Sequence, residues 1–118
     1  MRPLALAAIL AMAFAATAQA QETWVAVATD GGSNFGDAVG MATREAAEIT
    51  AVGECGGGCR IMLAAPARCV AYARSDAGNA SGYGADATRE AARQMAWNDC
   101  NRRVPSDSCT IRAAKCFE

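Results

Sequence analysis

Six cysteines are the residues of this chain whose type and spacing most clearly allow chemistry. All of them lie beyond residue 54: Cys55, Cys59, Cys69, Cys100, Cys109 and Cys116. An even number of cysteines in a small exported chain is typical of a disulfide framework. The three-residue spacing from Cys55 to Cys59 also suits a metal site, but the chain contains no histidine. We therefore expect disulfides, with no metal ion and no other cofactor.

The absence of histidine also excludes the Ser-His-Asp and Cys-His arrangements of nucleophilic enzymes. A hydrolase would have to depend on carboxylates, and Glu45 and Glu90 occupy matching positions in two similar segments. Such a pair could act as the acid and base of a glycosidase on cell-wall polysaccharide. Each glutamate also suits the first turn of a helix, where it offsets the dipole and pairs with Arg44 or Arg89 at the surface. We favour the second interpretation and expect no catalytic residue.

Two further features each allow a structural interpretation and a role in recognition. Trp97 either flanks the core or forms an exposed recognition patch, and we favour the core-flanking position. Arg102 and Arg103 lie in a loop that has no counterpart of equal length elsewhere in the chain. They form either a solvated turn, which is the interpretation we favour, or a recognition loop.

The elements that position these residues recur in an internal repeat of the sequence. The segment Ala42–Ala47 recurs letter for letter at Ala87–Ala92, 45 residues later. The same offset places Cys55 on Cys100, and a longer loop then places Cys59 on Cys109 and Cys69 on Cys116. The sequence therefore predicts one domain, residues 21–118, made of two repeats of about 24–69 and 70–116.

Each copy contains the same predicted elements. Trp24–Thr29 and Asn34–Met41 are short strands separated by turn residues. Thr43 is a predicted N-cap for a helix from Arg44 to Cys55. In the two helices a face of mostly small residues recurs at helical spacing: Ala47, Thr50, Ala51 and Cys55, then Ala92, Met95, Ala96 and Cys100.

A strand follows each helix, at Arg60–Ala64 and at Thr110–Ala114. The unit is thus ββαβ, and its repetition predicts an α+β fold with six short strands and two helices on the sheet. If the glycine-rich strands at Asn34 and Ala80 fail to pair, the pattern becomes a ferredoxin-like βαββαβ fold.

Six cysteines allow 15 pairings, and a duplicated chain favours those that respect its symmetry. The neighbours Cys55–Cys59 and Cys100–Cys109 form local links, which leaves Cys69–Cys116 to join the two copies. The rival set pairs Cys55 with Cys69, Cys100 with Cys116 and Cys59 with Cys109.

The order of these motifs resembles a known family. An Ala- and Val-rich strand opening with Trp24 is followed by the aromatic-glycine pairs Phe35-Gly36 and Tyr83-Gly84. The Thr-Arg-Glu-Ala-Ala helices end in Cys55 and Cys100, and the strand Cys69–Ala73 follows. This pattern is similar to the bacterial secreted family catalogued as domain of unknown function 4189. The resemblance implies export, internal repetition and disulfides, and it carries no settled activity or catalytic residues.

The N-terminal 20 residues have the composition of a cleavable signal peptide. Arg2 precedes the apolar stretch Leu4–Thr17, and Ala18 and Ala20 suit a signal peptidase. The stretch is shorter than a membrane span, so we expect a periplasmic or secreted protein. Residues 21–118 hold ten basic and twelve acidic residues, so we expect no nucleic-acid partner.

These observations favour a small, non-enzymatic binding module of the cell envelope or exterior, with a protein partner that it inhibits or links to another. A structural envelope component and a carboxylate-based hydrolase remain as alternatives.

Overall fold

The structure, a computed structural model, describes residues 22–118. The predicted signal peptide, residues 1–20, lies outside this range. Within residues 22–118 the chain forms six strands and two helices. Their bounds are β1 Trp24–Thr29, β2 Phe35–Met41, α1 Arg44–Cys55, β3 Arg60–Pro66, β4 Cys69–Ser75, β5 Ala80–Asp86, α2 Arg89–Asn101 and β6 Thr110–Cys116.

The predicted α+β fold of two ββαβ units is confirmed, because both glycine-rich strands pair with a neighbour. β2 pairs with β1, and β5 pairs with β4, each in antiparallel register. The ferredoxin-like alternative is therefore wrong.

The six strands in this range form two three-stranded sheets rather than one. The strand orders are β2-β1-β3 and β5-β4-β6, so each half places its first strand in the centre. The two halves thus have the same element order and the same sheet order, which is consistent with a duplicated α+β unit.

Alternation along the central strands sets up four layers, because successive side chains of a strand point to opposite faces. Ala26 and Ala28 of β1 pack under α1, whereas Val25 and Val27 face the second sheet. In β4, Ala71 and Ala73 pack under α2, and Val70 and Tyr72 face the first sheet. The order of layers is therefore α1, first sheet, second sheet, α2.

An aromatic stack lies between the two sheets. The ring of Tyr72 lies 4.6 Å from the ring of Phe35 and 5.8 Å from that of Tyr83, measured between centroids. Such pairs stabilise a core by about 0.5–1.5 kcal/mol beyond the area that they bury. The residues between the sheets are large, whereas those under the helices are small.

Small residues under the helices allow the helix backbones to lie directly on the sheets. A methyl group added at Gly36 would overlap the carbonyl of Ala51 in α1. One added at Gly82 or Gly84 would overlap the backbone of α2. These glycines of β2 and β5 complete the small-residue contact that the helix sequences predict.

The predicted helix faces are largely correct. Ala47 and Ala51 of α1 are buried, as are Ala92, Ala96 and Cys100 of α2, and Thr50 and Cys55 are half-buried. Met95 departs from the prediction, since it is 44% exposed. The Met95 Cβ lies close to Gly84, and the rest of the methionine side chain extends out of the helix–sheet interface.

Threonine caps begin both helices, as predicted for Thr43. The Thr43 hydroxyl accepts a hydrogen bond from the Ala46 amide at 3.1 Å, and the Thr88 hydroxyl accepts one from the Ala91 amide at 3.2 Å. Each cap satisfies an amide that no helix carbonyl can reach, which stabilises a helix by about 1 kcal/mol.

Strand register changes one correspondence between the copies. Ala28 of β1 pairs with Gly36, and its counterpart Ala73 of β4 pairs with Gly82. Gly36 therefore corresponds to Gly82, not to Gly84 as the matched aromatic-glycine pairs indicated. By the same register Asp37 is the counterpart of Tyr83.

Candidate binding cleft

The six cysteines form three disulfides: Cys55–Cys59, Cys69–Cys116 and Cys100–Cys109. This is the first of the two sets that the sequence allowed. Cys55–Cys59 links the end of α1 to the start of β3, and Cys100–Cys109 makes the equivalent link from α2 to β6.

The third disulfide has a different role from the one expected. Cys69 begins β4 and lies directly opposite Cys116 of β6, in the second sheet. The equivalent pair in the first sheet is Trp24 and Pro66. The Cys69–Cys116 bond therefore staples two strands of one sheet and does not join the two copies, so the first half holds one disulfide and the second holds two.

The glutamates considered for catalysis are held apart. Glu45 and Glu90 are exposed in the first turns of α1 and α2, which form the two outer layers. Two sheets about 10 Å apart lie between those helices, whereas paired glycosidase carboxylates are roughly 5–9.5 Å apart. Arg44 forms an ion pair with Glu48 at 3.1 Å rather than with Glu45.

The two long edges of the sandwich differ in chemistry. At one edge β2 of the first sheet faces β6 of the second, and Lys115 Nζ donates a hydrogen bond to Asp37 Oδ1 at 2.9 Å. Asp37 is only 4% exposed. The Asp37 carboxylate beside Lys115 raises the pKa of that amine above its ordinary range. This cross-sheet ion pair closes the edge.

At the opposite edge β3 faces β5, and the corresponding positions leave a cleft. Tyr83 stands where Asp37 stands at the closed edge, and Ala65 of β3 stands where Lys115 stands. No ion pair can form between Tyr83 and Ala65. Two adjoining cavities, each of about 490 Å³, lie along this edge and share Met62, Tyr83 and Arg103 in their walls.

One of the two, termed the outer cavity, reaches Asn98 and Arg102 at the end of α2, and its walls are largely apolar. Met62 and Leu63 of β3 line one side, and Tyr83 and Met95 line the other. Met62 and Met95 are 43% and 44% exposed. Flexible methionine side chains at an open surface can adapt to apolar groups of different shape.

The carboxylate of Asp99 borders the outer cavity and links α2 to β5 on one wall of the cleft. Asp99 Oδ2 accepts a hydrogen bond from the Tyr83 amide at 3.1 Å, just as Glu54 accepts one from the Asp37 amide at 3.2 Å. Burial opposes the ionisation of Asp99. The Tyr83 amide and the guanidinium groups of Arg102 and Arg103 outweigh it, so the pKa of the carboxyl lies below its ordinary value.

The other cavity, termed the inner cavity, is lined mainly by polar and charged groups near the strand ends at Thr29, Arg60 and Ala80. Its charged residues are Asp30, Arg60, Arg74 and Arg103. Arg74 is nearly buried, and its guanidinium donates hydrogen bonds to Ser81 Oγ at 3.0 Å and to Asn79 Oδ1 at 2.7 Å. A fixed guanidinium thus forms part of the wall.

The structure places Arg102 and Arg103 at the cleft, where a recognition loop would need them. Both guanidinium groups bond to Asp99 Oδ1, at 2.5 and 3.3 Å. Trp97, in contrast, is 37% exposed and joins none of the buried clusters of residues 22–118. It borders a small hollow with Glu90, Arg93, Gln94 and Ile111, away from the cleft. The expectation that Trp97 flanks the core is wrong.

Met62 and Tyr83 are the cleft residues that the sequence did not single out. A signal was present in the comparison of the copies, since strand register makes Arg112 the counterpart of Met62. An apolar residue at an exposed position in only one copy indicates a surface with a special role.

Two absences hold for the described part of the chain. Among residues 22–118 no three histidine, cysteine, aspartate or glutamate side chains cluster as metal ligands. The helices in that range are too short to span a membrane.

Comparison with known proteins gives one match. A family model described as Domain of unknown function (DUF4189) matches residues 24–116. The matched stretch begins with the first residue of β1 and ends with the last residue of β6. No curated protein and no solved structure matches the chain.

Proposed function

The chain belongs to the family described as Domain of unknown function (DUF4189), and we propose that it is an exported, non-enzymatic binding module. The partner is a protein of the cell envelope or exterior, which it inhibits or links to another component. The β3–β5 cleft is the binding site.

One observation carries this proposal: only one of two equivalent edges is open. The Asp37–Lys115 ion pair fills the β2–β6 edge, whereas Met62 and Met95 lie exposed at the β3–β5 edge. Each cavity of about 490 Å³ falls within the range of roughly 300–1,000 Å³ typical of binding sites. Exposed methionine with arginine nearby is also the composition favoured at protein interfaces.

Export is supported by the disulfides. Three disulfides link all six cysteines, and such bonds persist in the periplasm and outside the cell rather than in the cytosol. The composition of residues 1–20 agrees with this compartment.

The proposal is tested by retention of a partner from envelope extract of the host. The bait is the oxidised protein, residues 21–118, as wild type and as the double variant Met62→Ser/Met95→Ser. Ile49→Ser is the matched control, because Ile49 is 73% exposed on α1, on the far side of the first sheet. We expect a protein that the wild type and the control retain and that the double variant loses. Equal retention by all three baits, or no retained protein, would contradict the proposal.

Two alternatives give different results. A structural envelope component would remain in the insoluble envelope fraction without depending on Met62. A carboxylate-based hydrolase would release fragments from peptidoglycan or polysaccharide.

A further inference from the structure

The inner end of the cleft has more guanidinium groups than carboxylates to pair with them. Arg60 forms no ion pair with any residue of the range 22–118. Arg102 and Arg103 share the single carboxylate of Asp99. An arginine that lacks its own carboxylate at an open surface is available to bind one from outside.

The same sharing recurs beside the inner cavity. Arg74 and Arg112 both bond to Asp76, at 3.2 and 2.8 Å. The remaining carboxylate in the wall is that of Asp30, which accepts hydrogen bonds from the Gly32 amide at 2.7 Å and from the Asn34 side chain at 2.9 Å. Each of its oxygens thus accepts a hydrogen bond within its own turn, and Asp30 forms no ion pair with any residue of the range 22–118.

Arg74 is already in a fixed position. Its side chain is 8% exposed, and its guanidinium is bonded to Asp76, Asn79 and Ser81. A charged group held in place before binding loses little conformational entropy when a ligand arrives. The Arg60 side chain is exposed and lines the same cavity from the other sheet, so a carboxylate in that cavity meets a guanidinium group from each sheet.

Apolar surface continues directly from this positive end. Met62 and Tyr83 line both cavities, and Leu63 and Met95 extend the apolar wall along β3 and α2. β3 pairs with β1 on one side only, so its other edge carries backbone groups that an extended segment could pair with. A chain lying in the cleft would meet arginine at one end and methionine at the other.

We infer that the cleft selects an extended protein segment in which an aspartate or glutamate stands close to a large apolar side chain. This inference rests on the proposed function and specifies the partner's chemistry. The carboxylate binds between Arg60 and Arg74, with Arg103 beside them, and the apolar side chain packs against Met62 and Met95.

The test is a selection from a random 12-residue peptide display library against the oxidised protein, residues 21–118. We expect enriched peptides that combine an acidic residue with a neighbouring Leu, Ile, Phe or Met. Binding of the best peptide should weaken about tenfold in Arg60→Gln, because a charge-assisted hydrogen bond is lost. It should also weaken with added salt, which screens exposed charges.

Arg89→Gln is the matched control. Arg89 is an exposed arginine at the start of α2, outside both cavity walls, and its replacement changes the net charge by the same amount. It should leave peptide affinity unchanged. Thermal unfolding of both variants checks that Arg60→Gln keeps its fold. We expect that it does, because the Arg60 side chain is exposed.

Three results would overturn the inference: enriched peptides without acidic residues, equal binding by wild type and Arg60→Gln, or no enriched peptide. Retention of a partner from envelope extract shows whether the acidic preference alone is wrong or the proposed function as well. If Met62→Ser/Met95→Ser loses the partner and Arg60→Gln keeps it, the cleft binds a protein and the acidic preference is wrong. If neither change affects retention, the proposed function itself fails.

Discussion

Cys69 and Cys116 lie directly opposite each other on β4 and β6 and are joined by a disulfide. Their sequence separation is 47 residues, against 4 for Cys55 and Cys59. On the loop-entropy model these separations correspond to about 4 and about 2 kcal/mol of stabilisation.

Replacing Cys69 and Cys116 together with alanine should therefore lower the free energy of unfolding by about 2 kcal/mol more than replacing Cys55 and Cys59. Denaturant unfolding of the two variants measures the difference. Peptide mapping without reduction checks the premise, since a peptide that links Cys55 to Cys69 would refute the pairing.

The contact between Gly36 and α1 leaves no room for a side chain. A methyl group there would overlap the carbonyl of Ala51, so α1 would have to move away from the sheet. We expect Gly36→Ala to destabilise the fold by about 3 kcal/mol, the upper end for overpacked cores. Gly53→Ala is the control, because Gly53 lies within α1 with open space around it. It should stabilise the protein by up to about 1 kcal/mol, and equal effects of the two changes would contradict the close contact.

The Asp37–Lys115 ion pair gives a prediction for the closed edge. Lys115→Ala leaves the buried Asp37 carboxylate without its counter-charge, which we expect to cost about 2 kcal/mol, since solvent around the half-exposed lysine reduces the loss. Asp37→Ala/Lys115→Ala should cost less than the sum of the single changes. Urea unfolding of the three variants measures this coupling. Additive losses would show that the two residues do not interact.

The lowered pKa of Asp99 predicts a dependence of stability on acid. Its folded pKa lies below the unfolded value of about 3.9. The stabilisation is therefore present above that value and is lost as the pH falls through the folded pKa. Asp99→Asn should be less stable than the wild type at pH 7, and the difference should shrink at pH 2–3, as unfolding midpoints would measure. Asp107→Asn also removes one carboxylate, from an exposed position, and is the matched control for the change in net charge.

Export predicts the start of the mature chain. Protein purified from its host should begin at Gln21, because cleavage is expected after Ala20, and intact mass spectrometry reads this directly. Without reductant and under denaturing conditions it should give no reaction with a thiol reagent. A soluble cytoplasmic product that keeps Met1, or two free thiols, would contradict this compartment.

Local features of the fold follow from the sequence alone. The bounds of β1 and of α1 follow from an apolar run between turn residues and from a Thr cap followed by helical periodicity. The links Cys55–Cys59 and Cys100–Cys109 depend on residues close together in the chain. Short-range signals fix such features before any long-range contact forms.

The tertiary structure alone decided which faces meet. Six strands can form one sheet or two, and packing of Val27 and Tyr72 between sheets selects two. The matched aromatic-glycine pairs align Phe35 with Tyr83, whereas strand register aligns Asp37 with Tyr83, two residues further along. A shift of two residues keeps every side chain on its face, so the alternation of side chains could not show this correspondence from the sequence. The packing of one sheet against the other forms the ion pair at the β2–β6 edge and leaves the β3–β5 edge open. The sequence could not show this, because the side chains that meet at each edge are distant in the chain.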